Sequence, residues 1–239
     1  MVDNKHPYKL FFYNSVPAPC PYLKDQTERK LFTELSENDH ALLNLLTKAG
    51  FRRSHDILYR PDCEACKACI PSRINISLFD LSYKSVKRFL NKNKDLTLKY
   101  DSEICSQEAF TLFQSYQKNR HPDSEMRYMS YEEFLLMFFE KYEHSKLLGF
   151  YNNDNRLIGC VLYDLIDDGA SAIYSFYTPS EMQRSLGKFM IYRLIKELKD
   201  HNLPYLYLGY WIEKSPEMAY KGDFRALEIL LDNKWVLKP

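Results

Sequence analysis

Two short turn signals in the second half of the chain constrain its fold more than any other feature. Asn152-Asn153-Asp154-Asn155 and Asp167-Asp168-Gly169 separate three β-prone runs at 146–151, 156–165 and 170–178. Asn, Asp and Gly are favoured in hairpin turns because they tolerate the positive φ that such turns require. The three runs therefore predict an antiparallel meander.

Hydrophobic periodicity and capping residues predict the remaining elements. They are helices at 38–49, 82–94, 106–120, 130–143 and 186–200, and strands at 51–59, 70–79, 95–101, 204–209 and 226–231. The second half thus has the element order of acyltransferases of the GCN5-related N-acetyltransferase type. We expect an α/β (α+β) fold with a mixed, largely antiparallel sheet. We also expect an N-terminal cysteine-bearing domain (1–100) and a C-terminal acyltransferase-like domain (101–239).

The net charge of +1 hides a difference between the two parts of the chain. Residues 1–100 carry 17 Lys and Arg against 11 Asp and Glu, which gives +6, and the remainder carries −5. A basic part allows a polyanionic partner. The helix at 82–94 carries Lys84, Lys87 and Arg88, which suit either a nucleic-acid backbone or an ordinary solvated surface.

The sequence contains no apolar run of transmembrane length, and its first residues lack the apolar stretch of a signal peptide. We therefore expect a cytoplasmic protein without a membrane partner. In that compartment cysteines are usually reduced or metal-bound rather than paired in disulfides.

Three cysteines, Cys63, Cys66 and Cys69, are separated by two residues each, which allows their thiols to converge. Cys20, in a rigid Pro-rich segment, could supply a fourth ligand. Zinc, an iron–sulfur cluster or a group of reduced thiols fits this spacing. Lys67, between the thiols, is expected to favour thiolates if no metal is bound.

A segment before the helix at 186–200 suggests an anion site, because backbone N–H groups at a helix start attract negative charge. Arg184 and Gly187 match a loop that holds the coenzyme A pyrophosphate in acetyltransferases. Phe189 replaces a small residue of that loop, and we expect it to crowd the pyrophosphate. A helix cap with a surface arginine is the alternative interpretation.

The stretch 203–228 combines an aromatic strand with a charged, turn-rich segment. Strand ends in α/β enzymes often present binding residues, although a core strand followed by a surface loop fits the pattern equally well. Tyr174 and Tyr177 end the preceding strand and are expected to border a cleft. Four histidines lie on different elements and are interpreted as incidental: His55, His121, His144 and His201.

Segments along nearly the whole chain resemble the arginyl-tRNA–protein transferase family, and among its members the bacterial aspartate/glutamate leucyltransferases. The segments that carry the resemblance are Cys20-Pro-Tyr-Leu, Gly50-Phe-Arg-Arg-Ser, residues 59–73, 167–177, Arg184-Ser-Leu-Gly187, residues 203–212 and residues 218–225. The resemblance implies transfer of leucine from leucyl-tRNA to the α-amine of proteins that begin with Asp or Glu, which marks them for degradation. Leu23 stands where eukaryotic members carry a second cluster-binding cysteine.

The resemblance and the chemistry of aminolysis together suggest site residues. Tyr220 and Lys221 are expected near the reacting ester, and one of Arg52, Arg73 and Arg225 at the acceptor's carboxylate. Residues expected to bind aminoacyl-tRNA are Tyr174, Tyr177, Arg184, Ser185, Gly187, Tyr207, Tyr210, Trp211, Lys84, Lys87 and Arg88.

Direct transfer without a covalent intermediate is expected, and the chemistry requires no cofactor. Three alternatives stay open from the sequence. They are an arginyl-tRNA donor, a non-catalytic adaptor that binds tRNA or acidic N-termini, and coenzyme A-dependent acetylation.

Overall fold

The computed structural model describes residues 10–37, 39–139 and 142–239, which form five α-helices and fourteen β-strands. The helices are α1 (His40–Lys48), α2 (Lys84–Lys92), α3 (Ser106–Arg120), α4 (Tyr131–Phe138) and α5 (Leu186–Asp200). The strands are β1 (Tyr13–Asn14), β2 (Ala18–Pro19), β3 (Thr27–Glu28), β4 (Lys30–Glu34), β5 (Arg52–Ser54), β6 (Ile57–Pro61), β7 (Ile70–Asn75), β8 (Thr97–Tyr100), β9 (Ser145–Tyr151), β10 (Leu157–Ile166), β11 (Gly169–Tyr177), β12 (Tyr205–Trp211), β13 (Leu227–Leu231) and β14 (Lys234–Leu237). None of the described helices is both long enough and apolar enough to cross a membrane.

Eight strands form one large sheet in the order β14-β13-β7-β12-β11-β10-β9-β8. β11 and β12 are parallel, and every other neighbouring pair in this sheet is antiparallel. β9, β10 and β11 form the predicted meander. The α/β class with a mixed, largely antiparallel sheet is therefore confirmed.

The large sheet draws strands from both sides of residue 100. β7 pairs with β12 on one edge and with β13 on the other, and β8 pairs with β9. The remaining strands form a four-stranded sheet (β1-β4-β6-β5) and a two-stranded sheet (β2-β3). Hydrogen bonding within the large sheet therefore joins residues on both sides of residue 100. The division into two domains at that residue stays a prediction.

Helices cover both faces of the large sheet. Successive residues of a strand point to opposite faces, so neighbouring residues of β9 pack against different helices. Leu148 and Phe150 of β9 pack in one cluster with α5 and with Val86 of α2. Leu147, on the opposite face of β9, packs in a second cluster with α3 and α4. A third cluster joins α1 to the four-stranded sheet through residues such as Leu43 and Leu58.

Several predicted boundaries are wrong in instructive ways. The predicted strand 51–59 is a hairpin of β5 and β6, because the chain turns at His55, whose φ is +52°. The predicted strand 70–79 ends at Asn75 and continues as a short 3-10 turn, Ile76–Leu78. The sequence also gave no signal for β14 or for the two-residue strands near the N-terminus.

Candidate active site

A cleft opens where the parallel strands β11 and β12 separate. The two strands share only three register pairs, from Gly169–Tyr205 to Ser171–Tyr207, and each then continues without the other. Beyond that point an open cleft of about 790 Å³ lies between β11, Leu208 of β12, the start of α5 and the end of α3. Separated parallel strands leave room for a ligand at the carboxyl ends of the strands.

The cleft brings together residues that are far apart in sequence. Seven of the predicted site residues line it: Arg52, Tyr174, Tyr177, Ser185, Gly187, Tyr220 and Lys221. The cleft is also lined by residues that were not predicted as site residues, among them Tyr22, Tyr116, Arg120, His121, Lys188 and Glu217. Most of these lie at element ends or in turns, where no local pattern marks them.

Arg52 occupies the space between the separated strands. Its Nη2 donates a hydrogen bond to the carbonyl oxygen of Ile173 on β11. On the other side the guanidinium lies against Gly209 of β12, where any side chain would overlap it. Gly209 has a φ of +74°, a conformation that favours glycine for a second reason. A cation is thus held at the base of the cleft, beside Tyr174 and Tyr220.

Tyr207, Tyr210 and Trp211 do not line the cleft, contrary to the expectation for the strand end. Tyr207 is buried, accepts a hydrogen bond from Arg73 and donates one to Asp168. Tyr210 donates to the carbonyl oxygen of Tyr59 at 2.9 Å and lines a separate cavity. The register of β12 shifts between Tyr207 and Gly209. This irregularity resets the alternation of side chains, which the sequence pattern could not show.

Two of the three candidate acceptor-binding arginines lie elsewhere. Arg73 is buried in an ion pair with Glu228, with 2.7 Å between Nε and Oε2, and stacks on the ring of Tyr205. Arg225 is exposed and lies over the ring of Tyr83, 4.2 Å from its centroid. Neither lines the cleft, so Arg52 is the candidate that the structure brings to Tyr220.

The predicted anion loop reaches the cleft without its arginine. Ser185, with a φ of +55°, and Gly187 line the cleft at the start of α5. Arg184 instead forms two 2.8 Å hydrogen bonds to the carboxylate of Asp95. Phe189 packs against Phe150 in the core and does not line the cleft, so the expectation that it crowds a ligand is wrong.

Helix α2 forms part of the cleft wall through Phe89. Lys84, Lys87 and Arg88 on the same helix are exposed and do not line the cleft themselves. Their role as a nucleic-acid surface stays a prediction.

Five of the described tyrosines line the cleft, and burial keeps the hydroxyls of four of them protonated. Burial is the main cause that raises the pKa of Tyr22, Tyr116, Tyr174 and Tyr220 above the usual value. Nε2 of the buried Gln117 donates to the Tyr174 hydroxyl at 2.6 Å, which fixes that ring. Protonated hydroxyls in a partly closed cleft are suitable hydrogen-bond donors to a developing oxyanion.

Lys221 is a buried amine beside the cleft. Its Nζ donates to the carbonyl oxygen of Tyr210 at 2.9 Å and lies 3.7 Å from Sδ of Met218. Burial lowers the pKa of Lys221 well below the usual value, and the neighbouring Arg52 lowers it further. The amine can therefore lose its proton near neutral pH more readily than an exposed lysine can.

This burial predicts how stability depends on pH. The unfolded chain keeps a proton on Lys221 up to about pH 10.4, whereas the folded chain releases it at a lower pH. Between these limits the unfolded state binds more protons, so stability rises with pH. We expect the free energy of unfolding of the wild type, relative to Lys221→Met, to rise from neutral pH by up to about 1.4 kcal/mol per pH unit.

Urea unfolding between pH 7 and 9.5 measures this difference. Exposed Lys214→Met should show no such trend, and a difference for Lys221→Met that stays constant with pH would contradict the argument.

The cysteines meet at a second cavity, of about 350 Å³, on the other side of Tyr22. Cys20, Cys63, Cys66 and Cys69 all line it, which confirms that they lie close together. Burial and the neighbouring thiols raise the pKa of Cys69 to about 12. The expectation that Lys67 favours the thiolate is therefore wrong for Cys69, and Nζ of Lys67 instead lies 3.4 Å from the Cys63 carbonyl oxygen.

The arrangement of these thiols does not match a metal site. Among the residues that the structure describes, no three Cys, His, Asp or Glu side chains are placed to hold one metal ion. Zinc or an iron–sulfur cluster stays a prediction, and no step of the chemistry below passes through a metal.

Sequence comparisons match this chain to one family along most of its length. Residues 18–88 match "Arginine-tRNA-protein transferase, N terminus", and residues 108–231 match "Arginine-tRNA-protein transferase, C terminus". An aspartate/glutamate leucyltransferase from Ruegeria pomeroyi is 44% identical over 226 residues, which cover 94% of this chain and 82% of that protein. Another, from Granulibacter bethesdensis, is 41% identical and covers 98% of this chain and 88% of its own length.

The chain therefore belongs to the arginine-tRNA–protein transferase family. Among solved structures, L-PGS from Bacillus licheniformis aligns with a TM-score of 0.44 and 11% identity, over 61% of this chain and 48% of that one. The strand order and hydrogen bonding described above define the fold independently of this weak likeness.

Proposed function

We propose that this protein transfers leucine from leucyl-tRNA to the α-amine of proteins that begin with Asp or Glu. The observation that carries the proposal is the cleft between β11 and β12, which places Arg52 beside Tyr220 and opposite the start of α5. Family membership supports aminoacyl-tRNA as the donor. The names of the relatives support leucine and the acidic acceptors.

The donor end of the cleft suits the terminal nucleotide of a tRNA. Backbone amides at the start of α5, beside Ser185 and Gly187, can meet a phosphate or a ribose oxygen. Exposed Lys84, Lys87 and Arg88 on α2 would contact the acceptor stem farther out. Because α2 and α5 pack together through Phe89 and Tyr192, these two surfaces are held in a fixed relation.

An apolar region of the cleft suits a leucyl side chain. It is lined by Val161, Ala172, Met190, Ile191 and Leu208. An arginyl side chain would need a carboxylate partner when it leaves water. Among the described side chains that line the cleft, Glu217 is the one that carries a carboxylate, and it is exposed to water. This composition favours leucine over arginine as the transferred residue.

The chemistry requires positioning more than activation. The amine of the acceptor attacks an ester that is already activated by its attachment to tRNA, and the ribose oxygen leaves. Arg52 would fix the acceptor's acidic side chain, and protonated Tyr220 would donate to the oxygen that gains charge. Lys221 would orient Tyr210 and the adjoining segment rather than touch the ester, because its Nζ is bound to the Tyr210 carbonyl.

A competition between two charged tRNAs tests the proposal. The protein is incubated with equal amounts of leucyl-tRNA and arginyl-tRNA, each with a different label, and with a peptide that begins with Asp. We expect leucine on the peptide α-amine in at least tenfold excess over arginine, with little product on a matched Asn-initiated peptide.

Three results would redirect the assignment. Preferential arginine transfer would replace the donor, and binding of both substrates without a covalent product would indicate an adaptor. Acetylation of the same peptide from acetyl-coenzyme A would indicate the third alternative.

A further inference from the structure

His121 stands at the mouth of the cleft, immediately after α3. It caps the helix, with its backbone N–H donating to the carbonyl oxygen of Gln117 at 2.9 Å. Its imidazole is half-buried and lines the cleft. His201 occupies the equivalent position after α5, a helix of the same 15-residue length, but it is exposed and does not line the cleft. Two histidines with the same backbone role thus have different surroundings.

The imidazole of His121 contacts the group of cleft tyrosines. Nε2 lies 3.4 Å from the Tyr116 hydroxyl, and the two rings meet edge to face with centroids 5.4 Å apart. The Tyr116 ring in turn contacts that of Tyr177, with centroids 5.0 Å apart. Tyr177 lies close to Gly187, since a Cβ atom placed on Gly187 would be 3.6 Å from the Tyr177 hydroxyl oxygen. This chain of contacts leads from His121 to the start of α5, the part of the cleft assigned to the donor's terminal nucleotide under the proposed function.

The proposed reaction needs a group that accepts a proton. An α-ammonium has a pKa of about 8, so at pH 7 only about a tenth of the acceptor is in the reactive neutral form. A base within reach of that ammonium takes up the proton and can raise the reactive fraction from about a tenth toward one, a gain of up to about tenfold at pH 7.

Few of the described cleft-lining side chains can serve as this base. Arg52 and Arg120 carry guanidinium groups, which donate hydrogen bonds and have no acceptor. Lys188 is paired with Asp223 at 2.8 Å. Nζ of Lys221 is bound inside the protein to a carbonyl oxygen. The Glu217 carboxylate is exposed and can attract an ammonium, but carboxylates are weaker bases than imidazoles. His121 is the remaining group with a suitable basicity.

The charges around His121 support this role. Partial burial lowers the pKa of the His121 imidazole below its usual value, and Arg120 lowers it further, whereas Glu217 opposes them. The imidazole is therefore mostly neutral at pH 7, and one of its two ring nitrogens carries a lone pair. Glu217 lines the same cleft and is close enough to act on the charge of His121, so its carboxylate can attract an ammonium to this part of the cleft.

We propose that His121 accepts the proton that the acceptor's α-ammonium must lose before it attacks the aminoacyl ester, an assignment that rests on the proposed function. The ammonium gives one proton to the imidazole, which later releases it to solvent. The amine then forms the new N–C bond, and the bond between the carbonyl carbon and the ribose oxygen breaks. A second proton leaves the nitrogen and ends on the ribose oxygen, and one stays on the amide.

The pH dependence of kcat/KM for an Asp-initiated peptide, with leucyl-tRNA as donor, tests the assignment between pH 6 and 9. We expect His121→Ala to lower this value by up to about tenfold at pH 7. The deficit should shrink to less than about twofold at pH 9, where the amine is largely neutral without help. His121→Asn, which can still contact Tyr116 but cannot accept the proton, should lose activity with the same pH dependence. Added imidazole should restore part of the activity of His121→Ala.

His201→Ala is the matched control and should keep the wild-type profile. A loss in His121→Ala that is the same at every pH would overturn the assignment and indicate a positioning role. Wild-type activity in His121→Asn would also overturn it, since a hydrogen bond to Tyr116 would then suffice. If the wild type itself transfers no leucine at any pH, the proposed function fails, and the role of His121 fails with it.

Discussion

Replacing Arg52 by Ala is expected to lower kcat/KM for an Asp-initiated acceptor by about 10³-fold, with a much smaller effect on an Asn-initiated one. Arg52 is held between the Ile173 carbonyl and Gly209 at the base of the cleft, where its charge is partly removed from water. Removing one partner of a desolvated, hydrogen-bonded charge pair costs about 2–5 kcal/mol, because the other charge is left unpaired. The acidic acceptor should therefore lose most of its advantage.

The measurement compares both peptides at saturating leucyl-tRNA for the wild type, Arg52→Ala and Arg52→Lys. The lysine variant keeps the charge but loses the planar pair of donors, and we expect an intermediate value. Arg225→Ala is the matched control, because Arg225 was an equal candidate by sequence and lies outside the cleft. An equal loss with the Asp and Asn peptides would show that Arg52 supports the strands rather than the acceptor.

Replacing Asp164 by Ala is expected to destabilise the protein by about 3–5 kcal/mol. Asp164 is fully buried and accepts hydrogen bonds from Nε and Nη2 of Arg53, at 2.6 and 2.8 Å, and from Ser145 at 2.6 Å. The substitution leaves the Arg53 guanidinium buried without its counter-charge. It also removes a bond between β5 of the small sheet and β10 of the large one.

Urea unfolding at pH 7 measures the loss of unfolding free energy. In thermal unfolding, the Tm should fall by about 10 °C for a chain of this size. Asp200→Ala is the control, since Asp200 pairs with Lys196 on the exposed side of α5 and should change stability by less than about 1 kcal/mol. The double variant Arg53→Met/Asp164→Leu should recover much of the loss, because an apolar pair of similar volume needs no counter-charge. If Asp164→Ala unfolds at the wild-type urea concentration, the pair contributes nothing to stability.

Arg52 and Arg53 show what the sequence could and could not predict about the site. They are adjacent on β5, so their side chains leave opposite faces, and one enters the cleft while the other enters the core. Nothing local distinguishes Arg52 from Arg73 or Arg225, because the difference lies in which distant residue each one meets. Arg73 meets Glu228, and Arg225 meets the ring of Tyr83.

Elements with strong local signals were predicted well. The predicted helices at 106–120 and 186–200 match α3 and α5, and the meander matches β9 to β11. The two-residue strands near the N-terminus were missed, because so short a run has no measurable period. Tyr207 and Tyr210 were misplaced since the irregularity at Gly209 is set by tertiary contacts. His121 was missed because a single histidine after a helix carries no motif.

The position of β7 has a consequence for how the chain folds during synthesis. β7 leaves the ribosome long before its partners β12 and β13, which follow it only after α2 to α5 and β8 to β11. Both edges of β7 lack their native partners during that interval, and closing such long-range strand pairs is slow. The cysteine segment, directly before β7, therefore gains its final surroundings only after β12 and β13 have been made and have paired with β7.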